Sequence, residues 1–563
     1  MSGLEWVGIA LSLAKTVDSL AEFLITGYSD TSKFGPDLEK VRLALSIEAS
    51  NFRSLKTVLF GRQDEVPVAP PRTVRFSFHA RVQQSTSSSP PIGLFRDLDP
   101  QTQLDVINVL RQFRESLEAQ YQLVRGRYGS SQPNLRDVVD SSVSFGSYHT
   151  ASLLRRVRWG FAEKAKVEKA LRELQCWNER LHRMVQIKLI QNEIDSPAKT
   201  EIASPPSTLF QKMQSTGLTG DMDSLGLIDD IQLAKISTGS SALPSPSLRL
   251  GQDMIERYEQ ADVLVRSASR RLVVVDGQHV LLEYKDYDED QEGSPSEAAQ
   301  NRIGNLATML QKIKSSRYHA LQCDKYYWRK GQFVLSFPIP ATLAPGYTTL
   351  ISILQQSRVP SLEDRFILAR TLCAAVAQLH TVGWIHKSIR SDNILFFTPN
   401  DSSSSGNIQT PSSSSAFFEQ LYLSGWEYSR PETGFSSKPI FSNEIAENVY
   451  RHPEQWGLPT VRFGRVHDIY SLGVVLLEIG RWKPALGFHH GKFRNVESGS
   501  LVRNRLVESA TDQKMLSSMG TRYQSIVLKC LQWSSLQDVS EDVETLDFQT
   551  EVLDTLDEIV SHL

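Results

Sequence analysis

Apolar residues recur at helical spacing through the first part of the chain. Val7, Leu11, Ala14, Val17, Leu20, Ala21 and Leu24 mark one face of a helix, and Leu38, Val41, Leu45, Ala49 and Phe52 mark a second after a break near Gly27 to Pro36. Leu104, Ile107, Leu110, Phe113 and Leu117 give a third stripe, from Pro100 to about Val124. The fourth, from roughly Val157 to Ile187, is the most regular. Its Val167, Leu171, Leu174, Asn178, Leu181 and Val185 alternate at spacings of four and three, a heptad seam with one polar layer. Each apolar face needs a partner, so residues 1–190 are expected to form a four-helix-type bundle. The Pro- and Ser-rich stretch 63–93 and the stretch 126–146 read as loops between its helices.

Residues 191–250 hold five prolines among serines, the composition of a linker, with Leu225 to Ile236 as a candidate brace helix. Beyond them the periodicity changes. Arg271 to Val275 and His279 to Lys285 read as two strands joined at Asp276-Gly277, a strong hairpin signal. A helix is expected over Ala298 to Lys314, and strands around Tyr326 to Trp328 and Phe333 to Ser336. Pro338-Ile339-Pro340 then reads as a hinge between a smaller lobe, 251–345, and a helical lobe, 346–563, that begins near Tyr347. In the helical lobe, Leu362 to Leu379 is a strong helix ending at Gly383, and Asp401 to Ser415 is a Ser-rich insertion. The fold class is therefore multidomain α and α+β.

The chain has 563 residues, 40% of them hydrophobic, enough for several cores, and a formal net charge of -3. Nucleic acid is not an expected partner. Cys176, Cys323, Cys373 and Cys530 are widely spaced and form no CxxC pair, so reduced thiols and no metal centre are expected. Trp6 to Ile25 is apolar enough to suggest a membrane segment, but it contains Lys15, Asp18 and Glu22 and lacks a basic leader and a cleavage site. An amphipathic helix that packs in a bundle or lies on a membrane is the remaining reading, with Trp6, Leu11 and Leu20 as candidate membrane-active residues.

One stretch carries candidate chemistry. His386-Lys387-Ser388-Ile389-Arg390-Ser391-Asp392-Asn393-Ile394-Leu395 follows a helix and a glycine turn, and in order and spacing it resembles the catalytic loop of protein kinases, His-Arg-Asp-Leu-x-x-x-Asn. Asp468-Ile469-Tyr470-Ser471-Leu472-Gly473-Val474-Val475-Leu476-Leu477-Glu478 is close to the helix at the kinase core, and Tyr450 to Glu454 resembles the end of the activation segment. The resemblance implies a bilobal kinase-like fold in which Asp468 holds the catalytic-loop backbone and Glu454 is structural. It also implies a defect. Ser388 stands where the proton-accepting Asp belongs and Arg390 replaces the following Lys, while Gly425 and Trp426 stand where the metal-binding Asp and the following Phe belong. Lys285 takes the place of the phosphate-contacting lysine, but no Gly-x-Gly-x-x-Gly precedes it and no acid on the next helix pairs with it. Asp392 and Glu427 are the acids nearest the loop that could substitute.

A second resemblance covers the bundle. Gly8-Ile9-Ala10-Leu11, the Phe34-Gly35-Pro36-Asp37 turn, and Arg158-Trp159-Gly160-Phe161-Ala162-Glu163-Lys164 look like the HeLo domain of fungal heterokaryon-incompatibility proteins of the prion-inhibition and propagation class. A HeLo-like bundle before a degenerate kinase-like domain has the same order as mixed lineage kinase domain-like executioners of necroptosis. These resemblances imply a pseudokinase that restrains a membrane-active, cell-death-type bundle in incompatibility or innate immune signalling. They imply a cytoplasmic protein with regulated membrane association and no required cofactor, with weak ATP binding through Lys285 and Asn393 left open. The partners they imply are an intramolecular contact between bundle and kinase-like domain, a protein partner or upstream kinase, anionic membrane on activation, and a homo-oligomer. The alternatives are an active or weakly active ATP-dependent Ser/Thr kinase with a helical targeting domain, and a non-enzymatic scaffold.

Overall fold

The computed structural model describes residues 3–27, 36–62, 93–128, 153–195, 209–215, 217–238, 246–267, 269–287, 294–313, 315–329, 331–400, 415–432, 445–457, 461–488, 498–533 and 547–562. The expected loops within 63–93 and 126–146 and the insertion 401–415 fall almost wholly outside them, as do Phe34 and Gly35. The chain divides into two compact units, Met1–Ile228 and Asp229–Leu563. The first is helical and the second α+β.

Unit one contains α1 (Gly3–Gly27), α2 (Pro36–Phe60), α3 (Pro100–Tyr128) and α4 (Leu153–Asp195). The buried stripe of α1 is Ala10, Ala14, Val17, Leu20, Ala21 and Leu24; Val7 and Leu11, expected at its start, are only half-buried. Small residues at positions 10, 14 and 21 let neighbouring helices come close, which is why the stripe turns toward them. Leu45, Ala49 and Phe52 of α2 meet Ile107, Leu110, Phe113 and Leu117 of α3 in the same core. Phe113 bridges two helices, lying edge-on to Phe52 at 5.3 Å and stacked on Trp177 at 6.1 Å. The seam of α4 is Ala170, Leu174, Asn178, Leu181 and Val185, with Leu171 half-buried. Its polar layer reaches across the bundle: Asn178 Nδ2 donates to the Glu48 carbonyl at 2.7 Å and to its carboxylate at 3.0 Å.

The two acids on α1 that weighed against a membrane span, Asp18 and Glu22, are ion-paired with α2. Asp18 accepts from Arg53 and Lys56, and Arg53 also reaches Glu22. These pairs are partly exposed, so each adds at most about 1 kcal/mol. Of the candidate membrane-active residues, Leu20 is buried, and Trp6 and Leu11 are half-buried. Among the described residues, no helix is long and apolar enough to cross a membrane.

Unit two opens with a five-stranded antiparallel sheet of order β1-β2-β3-β5-β4, where β1 is Asp262–Arg266, β2 Arg270–Val275, β3 Gln278–Asp286, β4 Lys325–Arg329 and β5 Gln332–Pro338. The β2–β3 hairpin turns at Asp276 (φ 49) and Gly277 (φ 80), the left-handed pair a tight two-residue turn requires. Helix α6 (Glu297–Lys312) links β3 to β4, capped by Ser296. The expected lobe boundary near Tyr347 falls within a strand. Leu343–Thr349 is a strand, β6, paired with β7 (Ile394–Pro399), which in turn pairs with β8 (Leu421–Leu423). Tyr347 there packs its ring against Phe397 at 6.1 Å, and the first helical residue is Leu350. The core of this lobe is α7 (Leu362–Thr381), α8 (Arg465–Arg481) and α9 (Gln513–Gln532), in which Leu372, Val376, Leu472, Val475, Leu476, Ile526 and Val527 are fully buried.

Candidate functional site

The His386 loop is assembled from both sides. Ser361 caps α7 by accepting the Asp364 amide at 3.0 Å, and the Asp364 carboxylate accepts the Ser361 amide at 3.3 Å. The helix ends into Gly383 (φ 74), where a side chain would strike Ser237 Oγ. The chain then runs under α8, whose Asp468 is fully buried. Its carboxylate accepts the amides of His386 at 2.7 Å and Lys387 at 2.8 Å and the ring of His380 at 3.2 Å. Burial alone would push that carboxyl up, but these donors hold it below the usual carboxylate range. The clamp also accommodates strain: Lys387 sits at φ 67, left-handed for a residue with a side chain. Its ammonium is pushed down to about 7, first by burial and then by the nearby Arg430, Lys285 and Arg451.

Asn393, the nucleotide candidate, is turned toward Ser388 and lies against Gly425. Asn393 Nδ2 donates to the Ser388 carbonyl at 2.8 Å and to Ser388 Oγ at 2.9 Å. Gly425 follows at φ 83, and a Cβ there would lie 2.2 Å from Asn393 Nδ2. Glycine at 425 is thus required twice, by conformation and by space, and a carboxylate at that position is excluded. Trp426 is buried beside His386, with ring centroids 4.6 Å apart.

The sheet closes onto this segment through two residues that sequence reasoning passed over. Glu283 of β3, 3% exposed, accepts the amides of Gly425 at 3.0 Å and Trp426 at 3.0 Å and the hydroxyl of Ser424. Arg270 of β2, its cross-strand partner in register, donates to Ser424 Oγ at 2.7 Å and to the Asp392 carbonyl at 2.7 Å. The side chain that reaches the Ser424–Trp426 turn is therefore Glu283 and not Lys285, which lies one pleat further on with its Nζ 5.5 Å from the Tyr428 ring centre. The available signal was an acid inside the otherwise apolar run Val280-Leu281-Leu282.

The substitute acids are committed elsewhere or not described. Asp392 pairs with Arg390 at 3.0 Å, and Arg390 also reaches Glu447 at 2.8 Å. The Glu427 side chain lies outside the described residues. Glu454, expected to be structural, has an exposed side chain that lies 3.7 Å from His452 Nδ1 and 3.5 Å from His467 Nε2. The buried acid that ties this segment down is Glu478, which accepts from Tyr450 Oη and the Ala485 amide, each at 2.7 Å, and is pushed up to about 7 by burial.

No protein-family model matches the chain, and no curated protein matches it. Among solved structures, one described as "Titin kinase and its flanking domains" matches at 12% identity with a TM-score of 0.37, over 57% of this chain and 53% of that chain's length. At that distance the likeness says nothing of chemistry.

Two outcomes follow from the geometry. Gly425→Asp, which would restore the expected carboxylate, is expected to lower stability by about 1–3 kcal/mol through left-handed strain alone and to add no magnesium-dependent turnover; urea unfolding and a phosphotransfer assay check both. The second concerns His386, held at about 4 by burial, with His380 and Arg390 adding to the effect and Asp468 opposing it. An unfolded histidine titrates near ~6.5, so between there and about 4 the unfolded chain binds a proton that the folded ring refuses. This contribution is full above the unfolded value and is lost as pH falls toward 4, on the order of 3 kcal/mol in all. Unfolding at pH 7 and pH 4.5 measures it, and His386→Gln is expected to flatten the slope.

Proposed function

We propose that residues 229–563 are a protein kinase-like module that has given up phosphotransfer for an internally latched cleft, and that it regulates the helical unit without catalysis. Several features support the kinase-like reading. They are a five-stranded antiparallel sheet with a long helix, Glu297–Lys312, and a short one, Ser315–Tyr318, between its third and fourth strands, a crossing at Pro338-Ile339-Pro340, a His386-to-Asn393 loop, and the Asp468 carboxylate gripping that loop's amides. The observation that carries the loss of catalysis is Glu283. Its buried carboxylate stands two residues before the candidate phosphate-contacting Lys285 on the same strand, and its oxygens already accept from Ser424, Gly425 and Trp426. Phosphate brought there would meet like charge in a low-dielectric site. Neither Ser388 nor Gly425 supplies a carboxylate, and Asn393, a candidate nucleotide contact, donates to Ser388.

The same proposal gives the N-terminal unit the active role. Released from its partners, α1 would meet anionic lipid as an amphipathic helix, in a cell-death type of response under control of the kinase-like module, by a second copy or a phosphorylating partner. Its apolar stripe, and ion pairs to α2 weak enough to be broken, support this reading. Regulation of that kind needs two states of similar energy.

Titration of the full chain with an ATP analogue and magnesium is expected to give no saturable binding at millimolar nucleotide; magnesium-dependent turnover abolished by Asn393→Ala would overturn the proposal. For the bundle, residues 1–228 are expected to release dye from anionic liposomes, and Leu11→Glu, at a half-buried position, is expected to abolish release. A folded unit that never touches liposomes favours a scaffold.

A further inference from the structure

The segment after Tyr450 holds a second cluster of chemically able side chains, away from the Glu283 latch. His452 and His467 are buried, 4% and 3% exposed, and the Glu454 side chain closes over them from the solvent side. One donor atom from each lies within 4.8 Å of the other two. Such a donor set, two imidazoles and one carboxylate, is what borderline divalent cations take, with one position left for water. The spacing fits the same ion: ligands about 2.0–2.1 Å from a tetrahedral centre stand roughly 3.3 Å apart. Glu454 Oε2 lies 3.5 Å from His467 Nε2 and 3.7 Å from His452 Nδ1, too far for hydrogen bonds and near that edge length.

We propose that His452, Glu454 and His467 form a binding site for a zinc-class divalent cation that ties the 452–456 turn to the start of α8. The surroundings orient the ligands. His467 Nδ1 stands 3.3 Å from the Gly464 carbonyl and 2.9 Å from the Gly464 amide. In the other tautomer Nδ1 accepts the Gly464 amide; the tautomer that donates from Nδ1 to the carbonyl gives up that hydrogen bond and leaves the Nε2 lone pair facing Glu454, and a bound cation selects it. In the absence of a cation, the Gln455 amide 3.1 Å away serves that lone pair, so binding exchanges this contact for a stronger one. The His452 ring is fixed from two further sides, edge-on to His467 and to Tyr470, each at 5.1 Å. Burial keeps both imidazoles in the neutral, ligating form. Sequence reading set metal aside because it weighed cysteine spacing; this site has no cysteine, and its two histidines meet only through the fold.

The test uses the full chain, stripped with chelator and titrated with cobalt(II). The expected result is one ion per chain, the visible absorption of a tetrahedral complex, displacement by zinc, and a rise in thermal midpoint with zinc. Glu454→Gln is the informative variant because its side chain is exposed and keeps the same shape. Its cation-free melting point should match the wild type, while its cobalt affinity should fall at least about tenfold. Because this comparison could be spoiled by poor folding, zinc-induced movement of the His467 imidazole nitrogen resonances in the wild type provides an independent readout. Absence of stoichiometric cobalt uptake, unchanged affinity in Glu454→Gln, or unmoved His467 resonances would each overturn the site.

Discussion

The second unit depends on one buried carboxylate. Glu283 leaves β3 at the level of the Ser424–Trp426 turn and is enclosed there, where an uncompensated charge would cost several kcal/mol. It is tolerated because two amides and a hydroxyl point at it and because Arg270, one strand away, brings a positive charge to the far side of Ser424. Arg270 also reaches the Asp392 carbonyl, so the pair joins the sheet to both the His386 loop and the turn after β8. Since charge is buried, losing either partner leaves the other exposed to a low-dielectric interior, which makes the contact all-or-none. An anion such as phosphate brought to this turn would have to compete with the closure and would meet the like charge of Glu283.

The His386 loop is held from below by α8. Asp468 still grips the His386 and Lys387 amides, and the strained Lys387 backbone persists because that grip over-determines it. Nearby side chains are engaged within the same region: Asn393 donates to Ser388, Glu283 accepts from backbone amides, and Asp392 pairs with Arg390. Their hydrogen bonds stabilise one closed arrangement, and a closed arrangement with defined contacts is what a regulatory surface requires.

Local features were legible from sequence, and long-range ones were not. The hairpin at Asp276-Gly277, the polar Asn178 layer in the α4 seam and the Leu362 helix follow from turn chemistry and periodicity, which are short-range properties. Glu283 and Arg270 meet Ser424 across 141 and 154 residues, and nothing in their own strands announces that partner. Glu283 and Lys285 share one face of β3, and it is position along the strand, which residue type does not announce, that brings Glu283 to the Ser424–Trp426 turn. Glu454 was expected to be structural on resemblance alone, and it is the exposed member of a histidine-lined cluster.

The central claim is that Arg270 and Glu283 act as one unit across Ser424. A double-mutant cycle on the full chain, with Arg270→Met and Glu283→Gln measured singly and together by urea unfolding, tests it most directly. Removal of either partner is expected to cost about 3–5 kcal/mol, and removal of both much less than the sum, giving a coupling energy above ~1 kcal/mol. Additivity within about 0.5 kcal/mol would mean that the two side chains do not act together, and would contradict the account.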